Sequence, residues 1–296
     1  MNTRYATGFA TIAILLVAVT LTNVTVTSGV FAQIEEDAED TSDDSTNQID
    51  EESSGIVEDT EDQDEPGEDI LETEDDSEST EEEGEEEVEY TSSFRTEDCT
   101  FSATGSNPYF ILEPNYRQVL VGNESGAAVE QTITVLNETR EVNGTQTRVV
   151  EERETEDGEL IEISRNFFAI CDETNSVFYF GEEVDDYENG AIVGHEGAWL
   201  AGEDNNMAGL IMPGTVLLGA KYYQEIAPDI AVDRAEIIET GGELVVPAGS
   251  FDDVLVISES NPLEPGVEEL KYYAPGVGIL QDEDLKLVEY GFIEGR

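Results

Sequence analysis

Residues 127–171 read AAVEQTITVLNETREVNGTQTRVVEERETEDGELIEISRNFFAIC, and the fold turns on this stretch. Two turn dipeptides, Asn143-Gly144 and Asp157-Gly158, cut it into three long runs rich in Val, Ile, Thr and Phe. Asn-Gly and Asp-Gly suit the two-residue turns of β-hairpins, because both central positions need a positive φ. The stretch therefore predicts strands over Ala127–Thr139, Thr145–Thr155 and Glu159–Cys171. In the last of these, Ile161, Ile163, Phe167, Ala169 and Cys171 share one face, while Leu160, Phe168 and Ile170 occupy the other. Apolar residues on both faces predict a central, covered strand.

The same habit continues downstream. Asp172–Ser176 turns the chain into Val177–Gly181, and Asn189-Gly190 turns it into Ala191–Leu200. Further strands are predicted at Tyr222–Ile226, Ala231–Glu239, Leu244–Val246, Phe251–Ser258, Glu268–Tyr273, Gly278–Gln281 and Leu285–Ile293. Gly241-Gly242 is expected to separate two of them, and the Pro-Gly pairs at 213, 265 and 275 close others. Ile226–Ile238 is the one helical candidate, and Pro228 with its β-branched neighbours counts against it. Many strands joined by short turns predict an all-β fold: an antiparallel meander forming a curved sheet, half-barrel or barrel.

Charge divides the chain. The net charge is −59 over 296 residues. Residues 1–34 contain no acid, and residues 35–90 contain 30 acids and no Lys or Arg. The remainder holds 41 acids against 11 bases. Arg4 followed by the apolar run from Phe9 to Val19, then Val30-Phe31-Ala32, has the layout of an export signal with a cleavage site. The organisation expected is thus residues 1–32 as a signal peptide (or membrane anchor, if uncleaved), 33–93 as a disordered acidic spacer, and 94–296 as one β-rich globular domain. The spacer has too little apolar surface to offset chain entropy. It could bind cations weakly. Nucleic acid is excluded as a partner, because phosphate contacts need clustered Lys and Arg. The location expected is extracellular or cell-surface.

Two cysteines in an exported chain predict one disulfide, Cys99–Cys171, with two buried free thiols as the alternative. Asn123-Glu-Ser, Asn137-Glu-Thr and Asn143-Gly-Thr are candidate glycosylation acceptors at predicted strand ends.

Three stretches, NPYFILEP (107–114), VPAGSF (246–251) and PLEPG (262–266) followed by KYYAPGVG (271–278), resemble signatures of a poorly characterised group of secreted and lipoprotein-like bacterial and archaeal β-proteins. The resemblance implies one curved antiparallel sheet, similar to the half-barrel of periplasmic lipoprotein carriers, and no established activity. Asn115-Tyr116 departs from it, standing where the pattern expects a Gly-Thr-like turn. Without the resemblance, the glycines of these motifs read as fold markers.

No catalytic constellation stands out. His195 is the single histidine, between glycines in Val-Gly-His-Glu-Gly, and no Gly-x-Ser-x-Gly elbow occurs. Paired carboxylates carry little information among 41 acids. The acidic turns at Asp172–Asn175, Glu182–Asp186 and Glu203–Asn206 offer oxygen ligands for calcium without the spacing of a known loop. No metal or cofactor is expected. Trp199, Tyr222, Tyr223, Tyr272 and Tyr273 are the candidate ligand-face residues, since a Tyr-Tyr pair on a strand sends one ring to each side of the sheet. The function expected is that of an exported, non-enzymatic binding or structural protein of unknown partner. The alternatives are a carrier of a hydrophobic small molecule in a curved sheet, or an extracellular hydrolase using paired carboxylates.

Overall fold

The structure is a computed structural model that describes residues 89–294. The expected signal segment and the spacer up to residue 88 lie outside the described residues. Thr91 bridges Tyr222, and a single 3-10 turn follows at Thr96–Asp98. Strand β1 (Phe101–Ser102) comes next, then a small separate hairpin of β2 (Gly105–Asn107) and β3 (Phe110–Leu112).

The first meander comprises β4 (Tyr116–Glu124), β5 (Ala127–Val142), β6 (Thr145–Glu156), β7 (Glu159–Cys171) and β8 (Ser176–Glu188). The predicted turns form as expected. Asn143 and Gly144, and likewise Asp157 and Gly158, all have positive φ, and the pairs Val142↔Thr145 and Glu156↔Glu159 close two-residue loops. Strand β8 runs well past the predicted Gly181. Instead of one strand over Ala191–Leu200, β9 (Ala191–Gly194) and β10 (Trp199–Leu200) pair separately with β8, on either side of the turn at His195–Ala198. Then β11 (Met207–Met212) pairs with β8 as well.

The chain continues through β12 (Lys221–Tyr223), β13 (Glu225–Ile226), β14 (Arg234–Val246), β15 (Gly249–Ser260), β16 (Glu268–Ala274), β17 (Gly278–Asp282) and β18 (Leu285–Phe292). Gly241-Gly242 does not end a strand. It lies inside β14, where register shifts absorb the extra residues as bulges. Ile226–Ile238 forms no helix; it contains the turn at Pro228–Ile230 and the start of β14. Among the described residues, no helix is long and apolar enough to cross a membrane.

The sheet is antiparallel and nearly closed into a barrel of 13 strands. Its path ends at β12 on one side and β13 on the other. These are successive pieces of one stretch, interrupted at Gln224. β12 pairs with β14, and β13 pairs with β11. The seam is tight: a Cβ on Gly209 would lie 2.4 Å from the Gln224 carbonyl oxygen.

Closure buries the inward faces against one another. The pairs Val135↔Val150, Phe168↔Tyr179, Ile237↔Ile257 and Leu255↔Tyr273 stack the main core. A smaller core gathers Val246, Val254, Leu280, Leu285 and Leu287. Outside, Arg165 pairs with Asp185 at 3.2 Å and with Glu151 at 3.6 Å. The Cys99–Cys171 disulfide forms across 72 residues of sequence. Closing a loop of that length stabilises the fold by about 4 kcal/mol through the unfolded chain's lost entropy. Phe101, just beyond it, lays its ring edge-on to Phe178 and Phe180.

Gly209→Ala is expected to cost about 2 kcal/mol or more, because a methyl group cannot enter the seam without displacing the Gln224 backbone. Urea unfolding of the variant against the parent chain measures this.

Candidate functional site

The motif NPYFILEP folds as the β2–β3 hairpin and caps one end of the barrel. Asn107 is buried and donates through Nδ2 to the carbonyls of Asn175 and Pro213, both at 2.9 Å. The Gly276 N–H donates to the Pro108 carbonyl at 2.7 Å. The Tyr116 hydroxyl donates to the Val277 carbonyl at 2.6 Å. Two stretches far apart in sequence, NPYF and KYYAPGVG, thus meet. Asn115 makes the intervening turn with φ 70, a conformation Asn tolerates.

Between this cap and the sheet lies a pocket. Its cavity volume is about 70 Å3. Tyr109, Phe110 and Ile111 come from the cap, Ile133, Val135 and Val150 from β5 and β6, and Phe168, Tyr273 and Ile279 from the barrel wall. Phe110 meets Phe168 edge-on, and Phe168 stacks on Tyr179 with centroids 4.9 Å apart. The floor is polar: Gln118, Gln131, Glu152 and Asp282. Gln131 Nε2 donates to Glu152 Oε2 at 3.2 Å.

Beneath this floor the barrel interior is acidic. Lys271 is fully buried, with its Nζ 3.0 Å from Glu259 Oε2 and 3.5 Å from Asp282 Oδ2. Gln224 Nε2 donates to Glu259 Oε1 at 2.7 Å. Glu154, Glu182, Glu225, Asp233 and Glu269 are also buried. Their places follow from pairing: Asn166↔Glu182 and Glu259↔Glu269 are register partners on the inward face. The Tyr179 hydroxyl donates to Asn166 Oδ1 at 2.7 Å.

Burial sets the acidity of these groups. It lifts Glu152, Glu154 and Asp282 to about 7 and Glu269 to about 8, with Lys271 pulling Glu152, Asp282 and Glu269 the other way. Burial lifts Glu225 and Asp233 as well, and the hydrogen bond between their carboxyl groups favours protonated Glu225 beside ionised Asp233.

Of the five aromatic residues picked out from sequence, Tyr273 lines the pocket. Trp199 is buried edge-on to Tyr179, and Tyr222 is buried in the core. Tyr223 faces Tyr90, and Tyr272 packs on the smaller core. Asn123, Asn137 and Asn143 are exposed. His195 is exposed on the surface, with Nδ1 2.7 Å from the Val184 carbonyl and 3.1 Å from Asp185. The acids of 182–186 are split by strand alternation: Glu182 is buried inside, while Glu183 and Asp185 engage Arg140 and Arg165 outside. Among the described residues, the one trio with metal-ligating atoms within 4.8 Å is Cys99, Cys171 and Glu173, and its cysteines are bonded to each other. Glu173 accepts instead from Thr100 N and Oγ1.

Sequence reading passed over Gln131, Glu152, Lys271 and Asp282. For Gln131 the signal is a polar residue in the apolar phase of an alternating strand, Val129-x-Gln131-x-Ile133-x-Val135, whereas a bulge between Ile279 and Asp282 breaks that phase in β17. Comparison of the chain with protein families, curated proteins and solved structures gives no match. The fold and site define a nearly closed antiparallel barrel with an aromatic-walled pocket over a carboxylate-rich interior.

Two outcomes are expected. In the unfolded chain these carboxyl groups lose their protons near pH 4.5 for glutamate and 3.8 for aspartate, whereas in the barrel they hold them to about pH 7 or 8. The folded state thus binds more protons in between, and stability falls as pH rises through that window. Thermal unfolding at pH 5 should give a Tm several degrees above that at pH 8. Lys271→Met should cost roughly 3–5 kcal/mol at pH 8, since it leaves Glu259 and Asp282 without their cation, and the penalty should shrink at pH 5. Urea titrations at both pH values check this.

Proposed function

We propose that this is an exported binding protein, acting outside the cell or at its surface, whose barrel holds a small amphipathic molecule without transforming it. The observation that carries the reading is the pocket. Five aromatic side chains, Tyr109, Phe110, Tyr116, Phe168 and Tyr273, and several aliphatic ones surround a space with a few polar groups. That is the usual make-up of a small-molecule site. The disulfide is compatible with an oxidising compartment. The exposed asparagines at 123, 137 and 143 suit glycosylation there. The space favours a compact ligand whose apolar part lies among the aromatic side chains.

A hydrolase reading draws on the same pocket, because Glu152 and Asp282 both line it. Glycoside cleavage needs one carboxyl group protonated and its partner ionised. Here burial lifts both to about 7, so their environments do not set them apart. Binding is the better-supported function.

The full-length chain is expected to bind 2-phenylethanol saturably, with a raised Tm, and native mass spectrometry of the purified protein should show a co-purifying small mass. Ile133→Trp, which fills the pocket, should abolish both while leaving the far-ultraviolet circular dichroism unchanged. Unaltered binding in that variant would place the ligand elsewhere. Turnover of aryl glycosides that disappears in Glu152→Gln would establish the hydrolase instead.

A further inference from the structure

The pocket's floor carries information about the ligand's polar end. Gln131 and Asp282 are each 3 % exposed, and Gln131 Oε1 and Asp282 Oδ1 have no hydrogen-bond partner. Both residues line the pocket. The orientation of the Gln131 amide is fixed by its neighbour, since its Nε2 donates to the Glu152 carboxylate and its oxygen must therefore point away. Two residues of the floor thus hold buried acceptors lacking donors. Buried acceptors in that condition cost free energy until a donor reaches them.

Charge points the same way. Glu152, Glu259 and Asp282 surround a single ammonium, that of Lys271, which is engaged by Glu259 and Asp282. An anionic ligand would meet carboxylates and acceptor oxygens. A neutral alcohol could supply one donor and no charge. An alkylammonium supplies three donors and one positive charge, and makes charge-assisted bonds with carboxylates. The walls agree, because the faces of Tyr and Phe attract a cation as it passes.

Resting on the binding function above, we propose that the ligand is a small organic cation, an amine protonated at neutral pH with an apolar or aromatic body. Its ammonium group sits on Gln131, Glu152 and Asp282, and its body lies among Phe110, Phe168 and Tyr273.

The test compares three near-isosteric probes, 2-phenylethylammonium, 2-phenylethanol and phenylacetate. Isothermal titration calorimetry is run on the full-length chain at pH 8, above the range to which burial lifts Glu152 and Asp282. About 0.5 M NaCl screens the acidic surface. The ammonium should bind at least about tenfold more tightly than the alcohol, and phenylacetate should bind most weakly. Glu152→Gln and, separately, Gln131→Met should each remove most of the preference for the ammonium over the alcohol. Circular dichroism verifies that both variants fold; if either does not, the ranking of the three probes on the parent chain decides alone. Equal binding of ammonium and alcohol, or a preference that survives both substitutions, overturns the cation assignment and leaves the pocket's binding role standing. Saturable binding by none of the three overturns both.

Discussion

The ammonium of Lys271, enclosed by Glu259 and Asp282, is the interaction around which the barrel interior is organised. A sheet that curls shut must fill its inward face, and in this chain only part of that face is apolar. Much of the rest is carboxylic acid. Without an internal cation, closing the sheet would gather several like charges in a medium that solvates them poorly. One lysine offsets some of that repulsion. Retained protons on Glu225 and its neighbours offset much of the remainder.

The two meanders and their joint, β18 against β4, follow from ordinary β-sheet chemistry. Asn-Gly and Asp-Gly set the hairpins, alternation sets the faces, and bulges in β14 bend the wall. The last step is topological. Lys221–Ile226 pairs with β14 along its first half and with β11 along its second, so one short stretch serves both edges of the sheet. Gly209 permits the approach. An exposed sheet edge is a template for unwanted pairing, and this arrangement hides both of the long ones.

Much of this was legible in the sequence. The hairpins at 143 and 157 and the central position of Glu159–Cys171 could be read from local residue chemistry, and the Cys99–Cys171 bond was expected from the even cysteine count of a chain read as exported. The strand through Gly241-Gly242 could not, because a bulge and a turn make the same demand for glycine. The distinction lies in whether a partner strand continues alongside, which is a long-range fact. The pocket was hidden for a similar reason. Tyr273 stood out as an aromatic residue on a strand, but Glu152 and Asp282 were two acids among many. Only closure of the barrel separates inward carboxylates from the solvated ones. The glycines of KYYAPGVG read as fold markers, and NPYF carried no reading beyond its resemblance. The joining of the two motifs to roof the pocket depends on the contact between Pro108 and Gly276.

The disulfide has a mechanical side. It fastens the segment preceding β1 to the end of β7, a strand flanked on both sides in the sheet path rather than at its rim. Tension applied upstream of Cys99 would reach β7 once the Thr91–Tyr222 bridge parts, and its ladders with β6 and β8 would bear the load along their length. Such loading in shear resists rupture better than unzipping from an edge. The same fold with serines at both positions would offer β1 first, and come apart one pair at a time.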